Sequence, residues 1–252
     1  MALRKKLIIG NWKMNPPTLG EAKKVFLDIQ RIASKATKVK TIICPPTLYL
    51  LPLQERARTV VLGAQDVFYE RVGAFTGETS ALMIKEAGIA FSIVGHSERR
   101  ALGETDDMVS RKAASLAHLG LTPIVCVGER ERDHDGSYFA VLRNELLDSL
   151  RHVSRKLATH LVIAYEPLWA IGAASAISAP DLHETSIYIK KILYEMYGKD
   201  IALSIPIVYG GTVTPENAAE LVCDGEVEGL LVGRESVHPK KFEEIIGAIN
   251  SL

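Results

Sequence analysis

The strongest constraint on the fold is an alternation along the whole chain, in which short apolar runs are each followed by a stretch with helical periodicity. Eight runs of strand length occur, at residues 7–10, 41–44, 60–64, 91–94, 123–127, 161–165, 206–209 and 229–232. Their consecutive apolar positions are typical of parallel strands that are covered on both faces. This α/β pattern, with about one strand and one helix per 30 residues, predicts a single closed (β/α)8 barrel, with a doubly wound open sheet as the alternative.

Length and composition favour one domain over residues 1–252. No stretch rich in Pro, Gly or Ser and no run of like charge divides the chain as a linker would. Hydrophobic residues make up 47% of the chain, which is enough to fill one sizeable core. We therefore expect a single barrel domain.

The balance of charge argues against a surface that binds polyanions. Lys and Arg total 30 and Asp and Glu total 30, so the formal net charge is zero. A nucleic-acid or anionic-membrane surface would need an excess of basic residues, and no apolar run approaches the roughly 18 residues of a membrane-spanning helix. We expect no nucleic-acid partner and no membrane association, and any anion site must be local.

The cysteine pattern and the N-terminal segment favour a cytoplasmic localisation. Cys44, Cys126 and Cys223 are widely spaced and form no CxxC pair, which argues against a disulfide framework and against a zinc ribbon. Residues 1–10 carry basic side chains but too short an apolar stretch for the core of a signal peptide. We expect a reducing compartment.

Glu166 is the candidate catalytic base. It directly follows the sixth apolar run and precedes Pro167, which ends strand pairing because it has no N–H to donate. A carboxylate between Tyr165 and the Leu168-Trp169 pair is partly removed from water, which makes it a better proton acceptor near neutral pH. The alternative is a glutamate that only caps the strand end or pairs with a nearby lysine.

Two further strand exits carry polar candidates. Asn11 and Lys13 follow the first run at alternate positions, so both can face the barrel mouth, where Lys13 would offer a cation to an anionic substrate. His96 follows the fourth run at the start of a predicted helical turn, whose positive end favours a neutral ring that donates a hydrogen bond. The alternatives are ordinary surface polarity for Asn11 and Lys13, and for His96 a solvated turn in which Glu98 pairs with Arg99.

Glycine-bearing loops after three strands are candidates for phosphate binding. They are Gly172, the Gly210-Gly211-Thr212 segment and the Gly233-Arg234 pair. Glycine lets the main chain approach an anion closely, and the N–H groups there supply the donors. A glycine pair alone is weak support, whereas the ordered set after the last three strands is stronger.

The loop at residues 65–78 is longer than most connections. Connections beyond about 12 residues without secondary structure are uncommon in compact domains and are usually functional. Taken by itself, this segment is equally compatible with a surface loop that packs on itself.

Four segments together resemble the triosephosphate isomerase family. They are Ala-Tyr-Glu-Pro-Leu-Trp-Ala-Ile-Gly at 164–172, His-Ser-Glu-Arg-Arg at 96–100, Ala-Phe-Thr-Gly-Glu at 74–78 and Cys-Val-Gly-Glu at 126–129. The resemblance covers essentially the whole chain. It implies a TIM barrel that interconverts D-glyceraldehyde 3-phosphate and dihydroxyacetone phosphate by proton transfer through an enediolate, without a metal or an organic cofactor.

The resemblance also implies roles for individual residues. Glu166 would move the proton between C1 and C2 of the small phosphorylated triose. His96, Asn11 and Lys13 would stabilise the enediolate oxygens. Glu98 would orient Lys13.

The implied phosphate site and lid complete this assignment. The phosphate would be bound by groups of Asn11, Lys13, Gly172, Thr212, Gly233 and Arg234. A lid from Pro167 to Gly172 would close over the phosphate and exclude water.

The long third loop has an implied function as well. In the family, the Ala-Phe-Thr-Gly-Glu loop docks beside the site of a neighbouring subunit. The resemblance therefore implies a homodimer in which Thr76 lies near the partner's Asn11 and the partner's His96.

The sequence departs from the family pattern at three places. Residues 173–178 replace the usual second half of the lid and are one residue longer, which bears on the kinetics of closure. Thr212 stands where serine is common and keeps the hydroxyl. Arg234 replaces the second glycine of the phosphate pair, and we expect its main-chain contact to persist with the guanidinium directed outward.

Two other functions stay open at this point. The altered lid and Arg234 are compatible with a catalytically impaired barrel that is retained for binding or regulation. Another phosphosugar isomerase or epimerase is the third candidate, and dependence on a metal ion would favour it.

Overall fold

The computed structural model describes residues 5–133, 135–170 and 176–252, and its strands form one closed parallel barrel in chain order. The strands are β1 Lys6–Asn11, β2 Val39–Cys44, β3 Val61–Ala64, β4 Phe91–Val94, β5 Thr122–Val127, β6 Val162–Tyr165, β7 Ile207–Tyr209 and β8 Gly229–Val232. β1 pairs with β2 on one side and with β8 on the other, which closes the sheet. The predicted barrel is confirmed, and the open doubly wound alternative is wrong.

Helices surround the barrel and connect the strands. In the described ranges they are α1 Leu19–Ala33, α2 Leu50–Gln54, α3 Ala81–Glu86, α4 Ser97–Ala101, α5 Asp106–His118, α6 Tyr138–Ser149, α7 Ala179–Tyr197, α8 Lys199–Ser204, α9 Ala218–Cys223 and α10 Pro239–Ser251. Short 3-10 helices lie at Thr47–Tyr49, Ala158–His160, Leu168–Ala170 and Arg234–Val237. Among the residues described, no helix is both long enough and apolar enough to cross a membrane.

The sequence predicts two capped helix starts, at Thr18 with capping-box spacing to Glu21 and at Ser178, and the structure confirms both. Thr18 Oγ1 accepts the Glu21 N–H at 3.2 Å, as the capping-box spacing predicts. Ser178 Oγ accepts the Asp181 N–H at 3.2 Å, with Pro180 in the first turn of α7. Each such cap contributes about 1 kcal/mol. Both caps fix the chain where it leaves a rim loop and turns back along the barrel.

In the C-terminal part of the chain one prediction is confirmed and another is wrong. The sequence predicts a helix that stops at Gly198, and α7 ends at Tyr197 with Gly198 as its C-terminal cap. The sequence does not predict α8, which follows directly because Gly198 has a φ of 81° and turns the chain between the two helices. The sequence also predicts a capped helix start at Thr214, whereas α9 begins at Ala218. Asn217 Oδ1 accepts the Thr214 N–H at 2.8 Å, so a turn precedes this helix.

The strands are buried on both faces, which explains their continuous apolar runs. Successive side chains point to opposite faces, so Ile9 and Ile42 lie in the cluster inside the barrel while Ile8 and Ile43 pack under the helices. All four are fully buried, and each contributes roughly 1.5–3 kcal/mol through burial. Packing on both faces therefore holds the strands, and the rim above them, in a fixed register.

The carboxyl ends of the strands form one rim, and the candidate residues are found there. Asn11 ends β1, His96 lies two residues beyond β4, and Glu166 directly follows β6. Because all strands are parallel, these positions share one end of the barrel. The fold thus gathers residues that are far apart in the sequence.

Candidate active site

Glu166 is the buried carboxylate at the centre of the rim. Its side chain is 2% exposed, and its main-chain N–H donates to Val127 O at 2.8 Å, which continues the pairing of β5 with β6. One carboxylate oxygen, Oε2, accepts the Ser97 N–H at 3.3 Å. The other, Oε1, lies 3.5 Å from His96 Nε2. The structure therefore brings together the acid and the imidazole that the sequence singled out.

Two glycines leave the space that Glu166 occupies. A Cβ added at Gly128 would lie 2.0 Å from the Glu166 carbonyl oxygen, and one at Gly210 would lie 2.8 Å from Glu166 Cγ. Only glycine permits both approaches without displacing the carboxylate. The sequence predicts a phosphate loop at Gly210 and no role for Gly128, because neither contact with Glu166 has a local sequence signal.

His96 occupies the N-terminal cap of α4, with its ring 9% exposed. Nδ1 accepts the Glu98 N–H at 3.2 Å, so a neutral ring carries its proton on Nε2, the nitrogen that faces Glu166. The alternative of a local pair between Glu98 and Arg99 is wrong. Arg99 instead contacts Asp66 at 2.9 Å, while Glu98 reaches across to the first loop.

Lys13 is held by contacts from three loops. Its Nζ lies 2.7 Å from Glu98 Oε1, its N–H donates to Asn11 Oδ1 at 3.0 Å, and its carbonyl oxygen accepts from Gln65 Nε2 at 2.8 Å. The Lys13 φ is 52°, a left-handed conformation that costs of order 1–3 kcal/mol for such a residue. These bonds offset that cost and fix the ammonium group at the mouth. Sequence analysis missed the contribution of Gln65.

The loop after β8 lies against the first loop. A Cβ added at Gly233 would lie 3.6 Å from Lys13 Cε, so the glycine is adjacent to the proposed cation. Ser236 Oγ donates to Gly233 O at 2.7 Å, and Trp12 Nε1 donates to Ser236 O at 3.1 Å. Arg234 begins a 3-10 helix and is exposed, as expected for a guanidinium directed outward.

The loop after β7 contacts the base of the lid. Thr212 Oγ1 donates to Ala170 O at 2.8 Å, and Asn217 Nδ2 donates to Thr212 O at 3.1 Å. The candidate Gly172 and residues 173–175 lie outside the described residues. Of the three predicted phosphate loops, those at Thr212 and Gly233 are thus placed at the same rim as Glu166.

A second buried carboxylate, Glu129, ties the lid base to the barrel. Its Oε1 accepts from Tyr165 Oη at 2.8 Å and from Trp169 Nε1 at 2.9 Å. Burial and the neighbouring Glu129 charge raise the pKa of Tyr165 above its ordinary value. Arg132 lies 5.7 Å from the Trp169 ring and 3.2 Å from Asp181 at the start of α7. The described residues on either side of the predicted lid, at Trp169 and at Asp181, therefore contact the loop after β5.

A buried ion network supports the His96 loop from below. Lys112 is 1% exposed and contacts Asp66 at 2.8 Å as well as Glu104, whose Oε2 accepts the Gly95 N–H at 3.1 Å. Sequence analysis missed this network. A signal existed, since Lys112 interrupts the apolar stripe of α5 three residues after Val109.

The geometry indicates what this rim can do chemically. A buried carboxylate lies beside an imidazole N–H, and a fixed ammonium group stands at the same rim. This arrangement suits proton abstraction next to a carbonyl and stabilisation of the resulting oxyanion. Within residues 5–133, 135–170 and 176–252, no group of three or more His, Cys, Asp or Glu side chains is arranged to hold a metal ion.

Comparison with known proteins agrees with this geometry. Residues 6–249 match a family model described as triosephosphate isomerase. The chain is 39% identical over 248 residues to triosephosphate isomerase of Thermoanaerobacter pseudethanolicus, covering 97% of this chain and 99% of the relative. It is 38% identical over 247 residues to the protein of that name from Dehalococcoides mccartyi, covering 96% of each. For that of Dictyoglomus thermophilum the identity is 36% over 248 residues, covering 97% and 99%.

Proposed function

Because the chain belongs to the triosephosphate isomerase family, we propose that Glu166 is the base that moves a proton between C1 and C2 of a triose phosphate. The chain is an isomerase that interconverts D-glyceraldehyde 3-phosphate and dihydroxyacetone phosphate, a reaction of glycolysis. Nothing in its similarity to relatives favours the impaired binding protein. The observation that carries the assignment of the base is the 3.5 Å separation between Glu166 Oε1 and His96 Nε2.

The proposed reaction needs only side chains of the rim. Glu166 removes the proton from the carbon next to the carbonyl, the C–H electrons form the enediolate double bond, and the carbonyl electrons move to oxygen. His96 gives its Nε2 proton to the new oxyanion and takes up the hydroxyl proton from the other oxygen. The electrons of that O–H bond then form the new carbonyl, and the double-bond electrons take up the proton that the protonated Glu166 returns to the neighbouring carbon. His96 Nε2–H, the Lys13 ammonium and Asn11 stabilise the charge on the oxygens, since such fixed donors need no reorganisation as the charge develops.

Glu98 has a positioning function in this proposal. It is the ion-pair partner of the Lys13 Nζ at 2.7 Å, and its N–H is bonded to His96 Nδ1. One residue thereby fixes both the direction of the ammonium group and the tautomer of the imidazole. The ring then presents its proton to the substrate oxygen.

The phosphate is bound, in this proposal, by the loops after β7 and β8 together with Lys13 and Asn11. The Thr212 loop and the N–H groups of Gly233 and Arg234 supply neutral donors, and Lys13 supplies the charge. Gly172 of the lid would complete the set when the lid from Pro167 closes over the phosphate. The closeness of Gly233 to Lys13 Cε supports this arrangement.

The test of the proposal is turnover by protein treated with a chelator. Wild type should convert glyceraldehyde 3-phosphate rapidly, and Glu166→Gln should lower kcat by about 10²–10⁴-fold because the base is lost. Glu244→Gln on the exposed face of α10 is the matched control and should leave kcat unchanged. Loss of wild-type activity on chelation, or a Glu166→Gln variant as fast as wild type, would refute the assignment.

A homodimer through the long third loop is the second part of the proposal. Large apolar side chains are exposed after each of the first four strands, at the rim end: Met14, Leu48, Val72, Phe75 and Leu102. Exposed apolar side chains that share one face mark a surface for a protein partner. Thr76, at the exposed tip of the third loop, would then reach the partner's Asn11 and the partner's His96.

The oligomeric state can be tested with one variant and a matched control. Thr76→Arg places a charge at the proposed contact and should convert the dimer to a monomer in light scattering after gel filtration. Thr159→Arg, exposed at the opposite end of the barrel before β6, should remain dimeric. A monomeric wild type, or a Thr76→Arg variant as dimeric as the control, would contradict the proposal.

We also propose a cytoplasmic location and one domain over residues 1–252. Cys44 and Cys126 are buried, Cys223 is exposed, and all three thiols are free, as suits a reducing compartment. Burial raises the pKa of the Cys126 thiol, which keeps it protonated and unreactive. Fractionation of cells should recover the protein with cytoplasmic markers, and recovery with the envelope would contradict this location.

A further inference from the structure

An ion cluster lies behind the ends of β4 and β5, where α4, α5 and α6 meet, outside the proposed site. Its members are Arg100, Asp106, Glu145 and Ser149. Arg100 Nε lies 3.1 Å from Glu145 Oε1, and its terminal nitrogens contact Asp106 and Ser149 Oγ. Burial disfavours the charged guanidinium, but the charges of Glu145 and Asp106 outweigh it and raise the pKa of Arg100.

Glu145 connects this cluster to the end of β5. Its Oε2 accepts the Gly128 N–H at 3.0 Å. Gly128 packs against the main chain of Glu166, since an added Cβ there would lie 2.0 Å from the Glu166 carbonyl oxygen. The preceding residue, Val127, accepts the Glu166 N–H. The carboxylate of Glu145 is thus separated from the main chain of the proposed base by one glycine.

Arg100 connects the same cluster to the end of β4. Its Nε donates to Gly95 O at 2.8 Å, and one terminal nitrogen donates to Cys126 O at 3.3 Å. Gly95 has a φ of 73° and directly precedes His96. The side chain of Arg100 therefore fixes the peptide from which the imidazole projects, in a conformation that glycine adopts readily.

The geometry points to Glu145 as a positioning residue for both reacting side chains. One oxygen holds Gly128 and the other holds Arg100, so this carboxylate braces the main chain on both sides of the gap between His96 and Glu166. The inference rests on the proposed roles of His96 and Glu166. Loss of the brace would change the alignment for proton transfer and leave phosphate binding intact, because the phosphate loops follow β7 and β8.

The environment of Glu145 favours this role over that of a simple link between helices. Only 15% of its side chain is exposed, and burial raises its pKa to about 7 against the opposing Arg100 charge and the Gly128 N–H. Burying a carboxylate costs folding free energy unless ion pairs and hydrogen bonds offset the lost hydration. Asp148, one turn further along α6, pairs with Arg151 at the surface. Unlike the buried Glu145, this pair only joins two residues that are close in the sequence.

Three substitutions of Glu145 distinguish the effect of side-chain length from that of side-chain charge. Glu145→Ala should lower kcat about tenfold with KM within about twofold, since small misalignments of reacting groups cost rate. Glu145→Gln should have a kcat between those of wild type and Glu145→Ala, because its amide oxygen still reaches the Gly128 N–H while its NH2 group cannot accept from Arg100. Glu145→Asp should resemble Glu145→Ala, because it keeps the charge but is too short. Asp148→Ala is the control from the same helix and should match wild type.

Several results would overturn the inference. They are a Glu145→Ala variant with wild-type kcat, a Glu145→Asp variant as active as Glu145→Gln, and a rise in KM as large as the fall in kcat. If Glu145→Ala does not fold, the inference is tested by whether Glu145→Gln has a higher kcat than Glu145→Asp. Glu166→Gln, measured in parallel, distinguishes failure of the proposed base from failure of this inference. A wild-type kcat in Glu166→Gln refutes the role of Glu166 as the base. An inactive Glu166→Gln together with fully active Glu145 variants refutes only the positioning role of Glu145.

Discussion

The half of the barrel built from β1–β4 and the half built from β5–β8 hold their functional groups in different ways. In the first half, charged side chains are fixed by ion pairs, as between Lys13 and Glu98 and between Lys112 and Glu104. In the second half, Glu166 and the candidate phosphate loops are placed mainly by close main-chain approach at glycines and by neutral hydrogen bonds such as that from Thr212, with ion pairs behind the main chain rather than at the site.

The difference follows from what each half has to contact. An oxyanion that forms during the reaction is stabilised best by charges and donors that are fixed beforehand, and ion pairs supply that rigidity. A phosphate is present throughout, and main-chain N–H groups bind it without further charge. The first half also exposes the apolar residues of the proposed dimer contact, so a partner would rigidify the half that already carries the fixed charges.

Among the substitutions that test this comparison of the two halves, the largest effect is expected in the charged half. Lys13→Met should lower kcat/KM by about 10²–10³-fold, because the substrate loses its cation and Glu98 loses its partner. Steady-state kinetics with Lys156→Met, an exposed lysine before β6, as control would measure this. If Lys13→Met and Lys156→Met lost similar activity, the ion pair between Lys13 and Glu98 would have no special function in the first half of the barrel.

A smaller effect is expected from closing the space at a glycine of the second half. Gly128→Ala forces a Cβ onto the Glu166 carbonyl and should cost about 1–3 kcal/mol of unfolding free energy, with a clear fall in kcat. Gly247→Ala, on α10 with open space around it, should instead stabilise by about 0.5–1 kcal/mol. Urea unfolding of both variants, together with kinetics, would compare them, and equal stability would contradict the expectation.

The hydrogen bond between the seventh loop and the lid base should matter less. Thr212→Val removes the donor to Ala170 O and should raise KM about threefold, in line with the roughly 0.5–1.5 kcal/mol of a neutral hydrogen bond. Thr159→Val removes a comparable hydroxyl bond, to Lys156 O, far from the rim. A Thr212→Val variant that behaved like this control would show that the bond does not support phosphate binding.

The smallest effect is expected at Arg234. Its side chain is exposed, so Arg234→Gly should leave KM within about twofold of wild type while adding backbone freedom. Michaelis constants for both triose phosphates would check this. A KM that fell about tenfold in the variant would mean that the guanidinium obstructs the phosphate loop.

Local sequence patterns predicted most of the secondary structure. Each strand lies within two residues of its apolar run, and Thr18 caps α1 as its spacing with Glu21 indicates. The unpredicted helix α8 and the error at Thr214 arose where a turn residue has two local outcomes. Gly198 ends one helix and also begins the next, and the hydrogen bond of Asn217 replaces a helix start at Thr214 with a turn.

For the site, the sequence by itself determined which residues stand at the strand ends. Glu166, His96 and Asn11 follow apolar runs, and parallel strands necessarily bring such positions to one rim. Only the tertiary structure decided their partners. Lys13 meets Glu98 across 85 residues of sequence, and Ser97 bonds to Glu166 across 69. Periodicity is set by neighbours within a turn or a strand, whereas these contacts depend on how the closed barrel aligns its loops.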